Sequence, residues 1–105
     1  NIGIVIYPNV SISYNVNVGR GVFINYNSVI GHDVTIGNYT TISPSSTINA
    51  RSCIGNNCSI GSGATLIPNI KVEDNALVGA GSTIFSKVKT GTSVTDFPRK
   101  ISKEI

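Results

Sequence analysis

Aliphatic residues recur at every sixth position from Ile6 to Ile84, through Ile12, Val18, Ile24, Ile30, Ile36, Ile42, Ile48, Ile54, Ile60, Leu66, Val72 and Val78. A period of six matches neither the 3.6-residue repeat of an amphipathic helix nor the two-residue alternation of a lone strand, so the pattern belongs to a repeat architecture. Counting the aliphatic as place one, place two is small or turn-forming, with Gly19, Gly31, Gly37, Gly55, Gly61, Gly79 and Gly91 and the polar Ser13, Asn25, Ser43 and Asn49. The pattern predicts unusual φ angles there. Place five is small or β-branched, from Val10 and Val22 through Cys58 and Ala64 to Val88 and Val94, as a narrow interior requires. Three hexads per triangular turn give an 18-residue coil, and residues 6 to 95 then hold fifteen hexads in five coils. The expected fold is an all-β parallel β-helix, apolar inside and polar outside, ~20–25 Å long at ~4.8 Å per coil. Ile6, Ile24, Ile42, Ile60 and Val78 should stack in one column.

Each buried aliphatic is worth ~1.5–3 kcal/mol, set against ~1–2 kcal/mol of backbone entropy per ordered residue. A prism of this size is marginal alone, and a symmetric trimer suits a triangular solenoid with exposed faces. With 105 residues the chain is one domain, and no apolar run approaches the ~20 residues of a membrane span. Cys53 and Cys58 occupy places six and five, so one should point out and the other in, without a disulfide. Two unpaired thiols and the absence of a signal-like start favour a reducing, cytoplasmic setting. The lack of methionine and the start at Asn1 point to a fragment.

Net charge is +3, and Lys71, Lys87, Lys89, Arg99, Lys100 and Lys103 all fall in the last third. That end attracts anions, either as a solvated surface or as a phosphate-binding one. Nucleic acid is not the expected partner, because no aromatic row interleaves with these cations. The most chemically loaded residue is His32, the only histidine. It stands at place three, which projects outward, and Asp33 follows it, placed to orient the ring as a carboxylate does for a basic imidazole. Tyr14, Asn15, Asn27 and Asn38 are outward polar residues that could line the same site.

From Ile30 to Val88, the segments IGHDVTIGNYTTISPSSTI, IGNNCSIGSGATLIPNIKV and ALVGAGSTIFSKV resemble the hexapeptide-repeat bacterial sugar acetyltransferases, more closely those that acetylate UDP-4-amino-sugars or O-acetylate sialic acid. The resemblance implies a left-handed helix, acetyl-CoA as donor held between subunits of a homotrimer, a sugar acceptor and no metal. It implies His32 as general base beside Asp33, and Thr41, Gly61, Ser62, Gly79 and Ala80 as coenzyme contacts. Gly61 and Gly79 would let the pantetheine arm approach closely. By the same resemblance, residues 1–95 form the acyltransferase β-helix, residues 96–105 form a tail, and an N-terminal nucleotide-sugar domain is missing. Some members carry histidine where Thr41 stands, and Asp96-Phe97-Pro98-Arg99-Lys100 keeps the proline and lysine of the family tail but not its glycine.

Other functions are weighed on residue types. A β-helical zinc enzyme would need about three histidines and is excluded. An ice-binding face would need stacked Thr-x-Thr, and Thr35, Thr40, Thr41, Thr47 and Thr65 are not expected to form such a column. A non-catalytic, trimerising β-helix remains open as the alternative. Serine and maltose acetyltransferases are the near relatives among enzymes.

Overall fold

The protein was analysed as a computed structural model that describes residues 3–95; the tail from Asp96 onward, with Pro98, Arg99, Lys100 and Lys103, lies outside the described residues. Each hexad through Ile84, and the last one at Val94, yields a two-residue strand: an outward residue followed by the inward aliphatic. The strands form three parallel faces. The first holds Val5–Ile6, Phe23–Ile24, Thr41–Ile42, Ser59–Ile60, Leu77–Val78 and Ser93–Val94. The second holds Ser11–Ile12, Val29–Ile30, Thr47–Ile48, Thr65–Leu66 and Thr83–Ile84, and the third Asn17–Val18, Thr35–Ile36, Cys53–Ile54 and Lys71–Val72. No helix among the described residues is long and apolar enough to cross a membrane.

Register is 18 residues per coil, and Ile6, Ile24, Ile42, Ile60 and Val78 stack as expected. From Ile24 onward these side chains are fully buried, while Ile6 and Ile12 in the first coil remain 49% and 39% exposed, being covered by a coil on one side only. The buried hydroxyls at place five have a reason beyond size. Thr40 Oγ1 donates to Gly55 O at 2.7 Å and Ser46 Oγ to Gly61 O at 3.0 Å, so these buried hydroxyls are satisfied by carbonyls of the next coil. Cys53 is exposed and Cys58 buried, both free.

Two expectations are corrected. The repeat loses two residues after Ile84: Val72 bridges Val88 and Val78 pairs with Val94, an offset of 16. Val88 and Val94 therefore occupy place one rather than place five, and the last coil is short. The left-handed φ angles fall at place four, not place two: Asn15 (56°), Asp33 (59°), Tyr39 (60°), Arg51 (64°) and Gly63 (70°) are examples, and Gly91 (70°) joins them once the shortened coil is counted. As expected, no Thr-x-Thr column forms among the described residues: Thr47, Thr65 and Thr83 stack on the second face. They form a single column, because the next outward residues of those coils are Asn49, Ile67 and Phe85.

Candidate active site

His32 and Asp33 lie on the edge between the second and third faces. The 18-residue register puts Tyr14, His32 and Ala50 in one column along that edge, with Asn15, Asp33, Arg51 and Asn69 in the column beside it. Backbone bonds clamp the corners together: Asp33 N–H donates to Tyr14 O at 3.0 Å, and Arg51 N–H to His32 O at 2.9 Å. Gly31 makes this stacking possible, since a Cβ there would stand 2.8 Å from Ala50 N.

His32 Nδ1 lies 2.8 Å from Asp33 Oδ2. Asp33 is held below the usual carboxylate range, first by the hydrogen bond from His32, then by the Asn15 side chain and by the charges of His32 and Arg51. An ionised carboxylate only accepts, so Nδ1 is the nitrogen that donates to Asp33, and in the neutral form of the ring Nε2 is the nitrogen that keeps the lone pair. Arg51 is itself oriented by Nε donating to Asn69 Oδ1 at 2.9 Å. The Tyr14 ring is stacked on the imidazole, centroids 5.1 Å apart and planes 6° from parallel. His32 is 35% exposed in its side chain, enough for a reactant to reach the ring.

The three edges differ in their place-three amides. Between the third and first faces these amides are capped by side chains: Arg20 N–H donates to Asn38 Oδ1 at 3.0 Å, Asn38 N–H to Asn56 Oδ1 at 2.7 Å, and Asn56 N–H to Asp74 Oδ1 at 2.8 Å. Along the two edges bordering the second face they are not. The amides of His32 and Ala50 on one edge, and of Ser62 and Ala80 on the other, have no acceptor among the described residues. The second face is thus flanked by free N–H donors, with the His32 imidazole on one side and a glycine-rich edge on the other.

Of the sequence-predicted residues, Tyr14 and Asn15 join His32 and Asp33, whereas Asn27 and Asn38 sit on the other two edges. Ser62 and Ala80 stack on the edge between the first and second faces, with Gly61 and Gly79 beside them and Thr41 on the first face. The space a Cβ would take at Gly61 and Gly79 is filled by the next coil, with Ala80 N at 2.5 Å and Thr95 Cγ2 at 2.7 Å, so both glycines serve coil stacking. Within one protomer His32 and the Ser62–Ala80 edge are separated by the width of the second face. None of the predicted site residues lines the cavity of about 330 Å³ bordered by Cys53, Lys71, Glu73, Asp74 and Thr90. The same holds for the hollow of about 290 Å³ left by the short last coil at Ile84, Phe85, Val88 and Val94. The Tyr14 stack, the Arg51–Asn69 support and the free Ala50 amide were not read from the sequence; the offset of 18 applied to His32 and Asp33 is the signal that finds them.

Comparison with known proteins gives the family. The family model for bacterial transferase hexapeptide repeats matches residues 15–50 and 54–86, more than half of the chain. The chain belongs to the bacterial hexapeptide-repeat transferase family. Among solved structures it is similar to serine acetyltransferase from Neisseria gonorrhoeae in complex with serine, at 26% identity and a TM-score of 0.77, covering 86% of this chain and 42% of that one. It is similar to a mutant perosamine N-acetyltransferase from Caulobacter crescentus in complex with CoA and GDP-perosamine, at 22% identity and a TM-score of 0.77, covering 98% and 58%. A maltose O-acetyltransferase from Clostridium difficile is similar at 23% identity and a TM-score of 0.73, covering 91% and 63%. The last two likenesses establish the fold alone. The chain spans about 40% to 60% of the length of these proteins. A search of curated proteins gives no match.

Proposed function

We propose that this chain is the catalytic β-helix of an acetyltransferase that moves the acetyl group of acetyl-CoA to an amine or hydroxyl of a sugar, with a nucleotide-linked amino sugar as the leading acceptor. The observation that carries the reading is the dyad: Nδ1 of His32 lies 2.8 Å from the Asp33 carboxylate, which leaves Nε2 as the nitrogen to act as the base. In the reaction, Nε2 takes the proton of the acceptor nitrogen or oxygen as that atom bonds to the acetyl carbonyl carbon. The negative charge on the carbonyl oxygen is met by a backbone amide, for which Ala50 N–H, one coil beyond His32 and without an acceptor, is placed. The C–S bond then breaks, and the proton on His32 passes to the departing thiolate. The carboxylate of Asp33 keeps the tautomer and balances the imidazolium in between.

Thr41, Gly61, Ser62, Gly79 and Ala80 form the coenzyme side of the site. The free amides of Ser62 and Ala80 lie one coil apart on one edge, which suits a chain of amide carbonyls running parallel to the axis, as the pantetheine arm presents. Because that edge and His32 are a full face apart in one protomer, the coenzyme lies in a groove between neighbouring copies of a homotrimer. Phe23, Val29 and Leu77, each 43–44% exposed on the first and second faces, are the apolar surface such an assembly would cover. The free thiols accord with a cytoplasmic setting. A second acceptor, the hydroxyl of serine, is favoured by the 26% identity to a serine acetyltransferase.

The test is calorimetric titration with acetyl-CoA of the wild type and His32→Ala, with a sizing run, followed by thiol-release assays on UDP-4-amino-sugars, sialic acid and serine. Micromolar binding by a trimer, retained in His32→Ala with turnover reduced about 10²–10⁴-fold, is the expected result. A folded trimer that does not bind would replace this reading with a trimerising, non-catalytic β-helix, and turnover of serine alone would select the second acceptor.

A further inference from the structure

A hydrogen bond at Nδ1 fixes one atom of the His32 ring, but the ring can still swing about the axis of that bond and carry Nε2 through an arc. A general base must present its lone pair along one direction, so a second constraint is required. Tyr14 supplies it. Its ring lies one coil before His32 in the same column, 6° from parallel with centroids 5.1 Å apart, and a swing of the imidazole would drive the two planes into each other. Tyr14 is 65% exposed, so burial in the core does not explain an aromatic there. The dipeptide Tyr14-Asn15 also engages the other half of the dyad. Tyr14 O accepts from Asp33 N–H at 3.0 Å, and the Asn15 side chain is among the groups that hold the Asp33 carboxyl low.

Resting on the reading of His32 as the base, we propose that Tyr14 is its positioning residue: the stacked ring fixes the plane of the imidazole so that Nε2 points in one direction out of the edge. The phenol ring also sets an electron-rich face against the imidazole when it turns cationic. The contact needs the ring and not the hydroxyl, so phenylalanine should serve and an aliphatic residue of similar bulk should not.

Because His32 is the only histidine, its ring can be watched alone by NMR in full-length protein labelled with ¹³C-histidine. Wild type, Tyr14→Phe and Tyr14→Leu are compared by ring C–H order parameter, ring proton shift, and kinetics with acetyl-CoA. In Tyr14→Leu the order parameter should fall and the ring protons should lose their upfield stacking shift. Turnover should drop about tenfold with KM for acetyl-CoA unchanged. Tyr14→Phe should restore all three. An imidazole as rigid in Tyr14→Leu as in wild type overturns the proposal whatever the activity, and a mobile ring with wild-type turnover overturns its catalytic relevance. Absence of acetyl transfer in wild type would instead defeat the assignment of His32 as base, and the relaxation data would still decide whether Tyr14 holds the ring.

Discussion

Gly31→Ala tests the packing that brings the active-site column together. A Cβ at Gly31 would stand 2.8 Å from Ala50 N, 3.1 Å from the Asn49 carbonyl carbon and 3.2 Å from Ala50 Cα. The closest of these falls about 0.6 Å short of an ordinary 3.4 Å contact, and all three neighbours are backbone, so no side-chain rotation relieves the clash. The coil carrying Ala50 has to move away. At this corner two bonds tie that coil to this one, Gly31 N–H to Ile48 O at 2.8 Å and Arg51 N–H to His32 O at 2.9 Å. A displacement of about 0.6 Å stretches both to the edge of useful hydrogen-bond length. Overpacking of this kind costs ~1–3 kcal/mol, a shift of about 1 M in the urea midpoint. Because the displaced amide is the proposed oxyanion donor, turnover should fall about tenfold as well. Gly91→Ala is the control. Gly91 has φ +70° and nothing within 4 Å of its Cβ position, so alanine there costs ~1–2 kcal/mol of left-handed backbone strain while leaving turnover unchanged. Urea unfolding at fixed protein concentration and thiol-release kinetics read both quantities. A Gly31→Ala protein with the wild-type urea midpoint would refute the close-approach argument.

Two further predictions concern stability. Ile42→Ala removes a fully buried member of the column between Ile24 and Ile60 and should cost ~2–5 kcal/mol; Ile12→Ala, at a position already 39% exposed, should cost only ~1–1.5 kcal/mol. Equal losses in urea unfolding would mean that the first coil is covered in solution. In acid, Asp33 and Glu73 act in the same direction. His32 above all lowers the carboxyl of Asp33, and the Thr90 amide and hydroxyl lower that of Glu73. A depressed folded-state value means that the stabilisation is complete above the ordinary values of 3.8 and 4.5 and is lost as pH falls through the folded ones. Thermal unfolding followed from pH 6 to pH 2 should therefore show an acid limb that is shallower in Asp33→Asn and Glu73→Gln, and an unchanged limb in both variants would contradict the assignment.

Much of the molecule is legible in its sequence, because a solenoid is quasi-one-dimensional: each coil touches only its neighbours, and contacts repeat at a constant offset. The period of six predicts the inward column, the outward place of His32 and the opposite exposures of Cys53 and Cys58. The shortened coil is not legible, because valine suits place one as well as place five. Val88 and Val94 continue a sixfold spacing between themselves, so only the observed pairing with Val72 and Val78 shows that two residues are gone. The glycines of place two mislead for a related reason. Glycine answers both to left-handed φ and to close backbone approach, and the coil geometry assigns place two to the second while leaving place four to asparagine, glycine and even Tyr39 and Arg51.

The sequence by itself therefore determines the architecture, the family resemblance and the adjacency of His32 to Asp33, since these depend on periodicity and local order. The tertiary structure decides what surrounds the base: the parallel ring of Tyr14, the support of Asp33 by Asn15 and Arg51, and the free amides on both borders of the second face. Those features join residues 18 apart, or depend on which side chains reach a neighbouring amide, and so exist only once coil is stacked on coil.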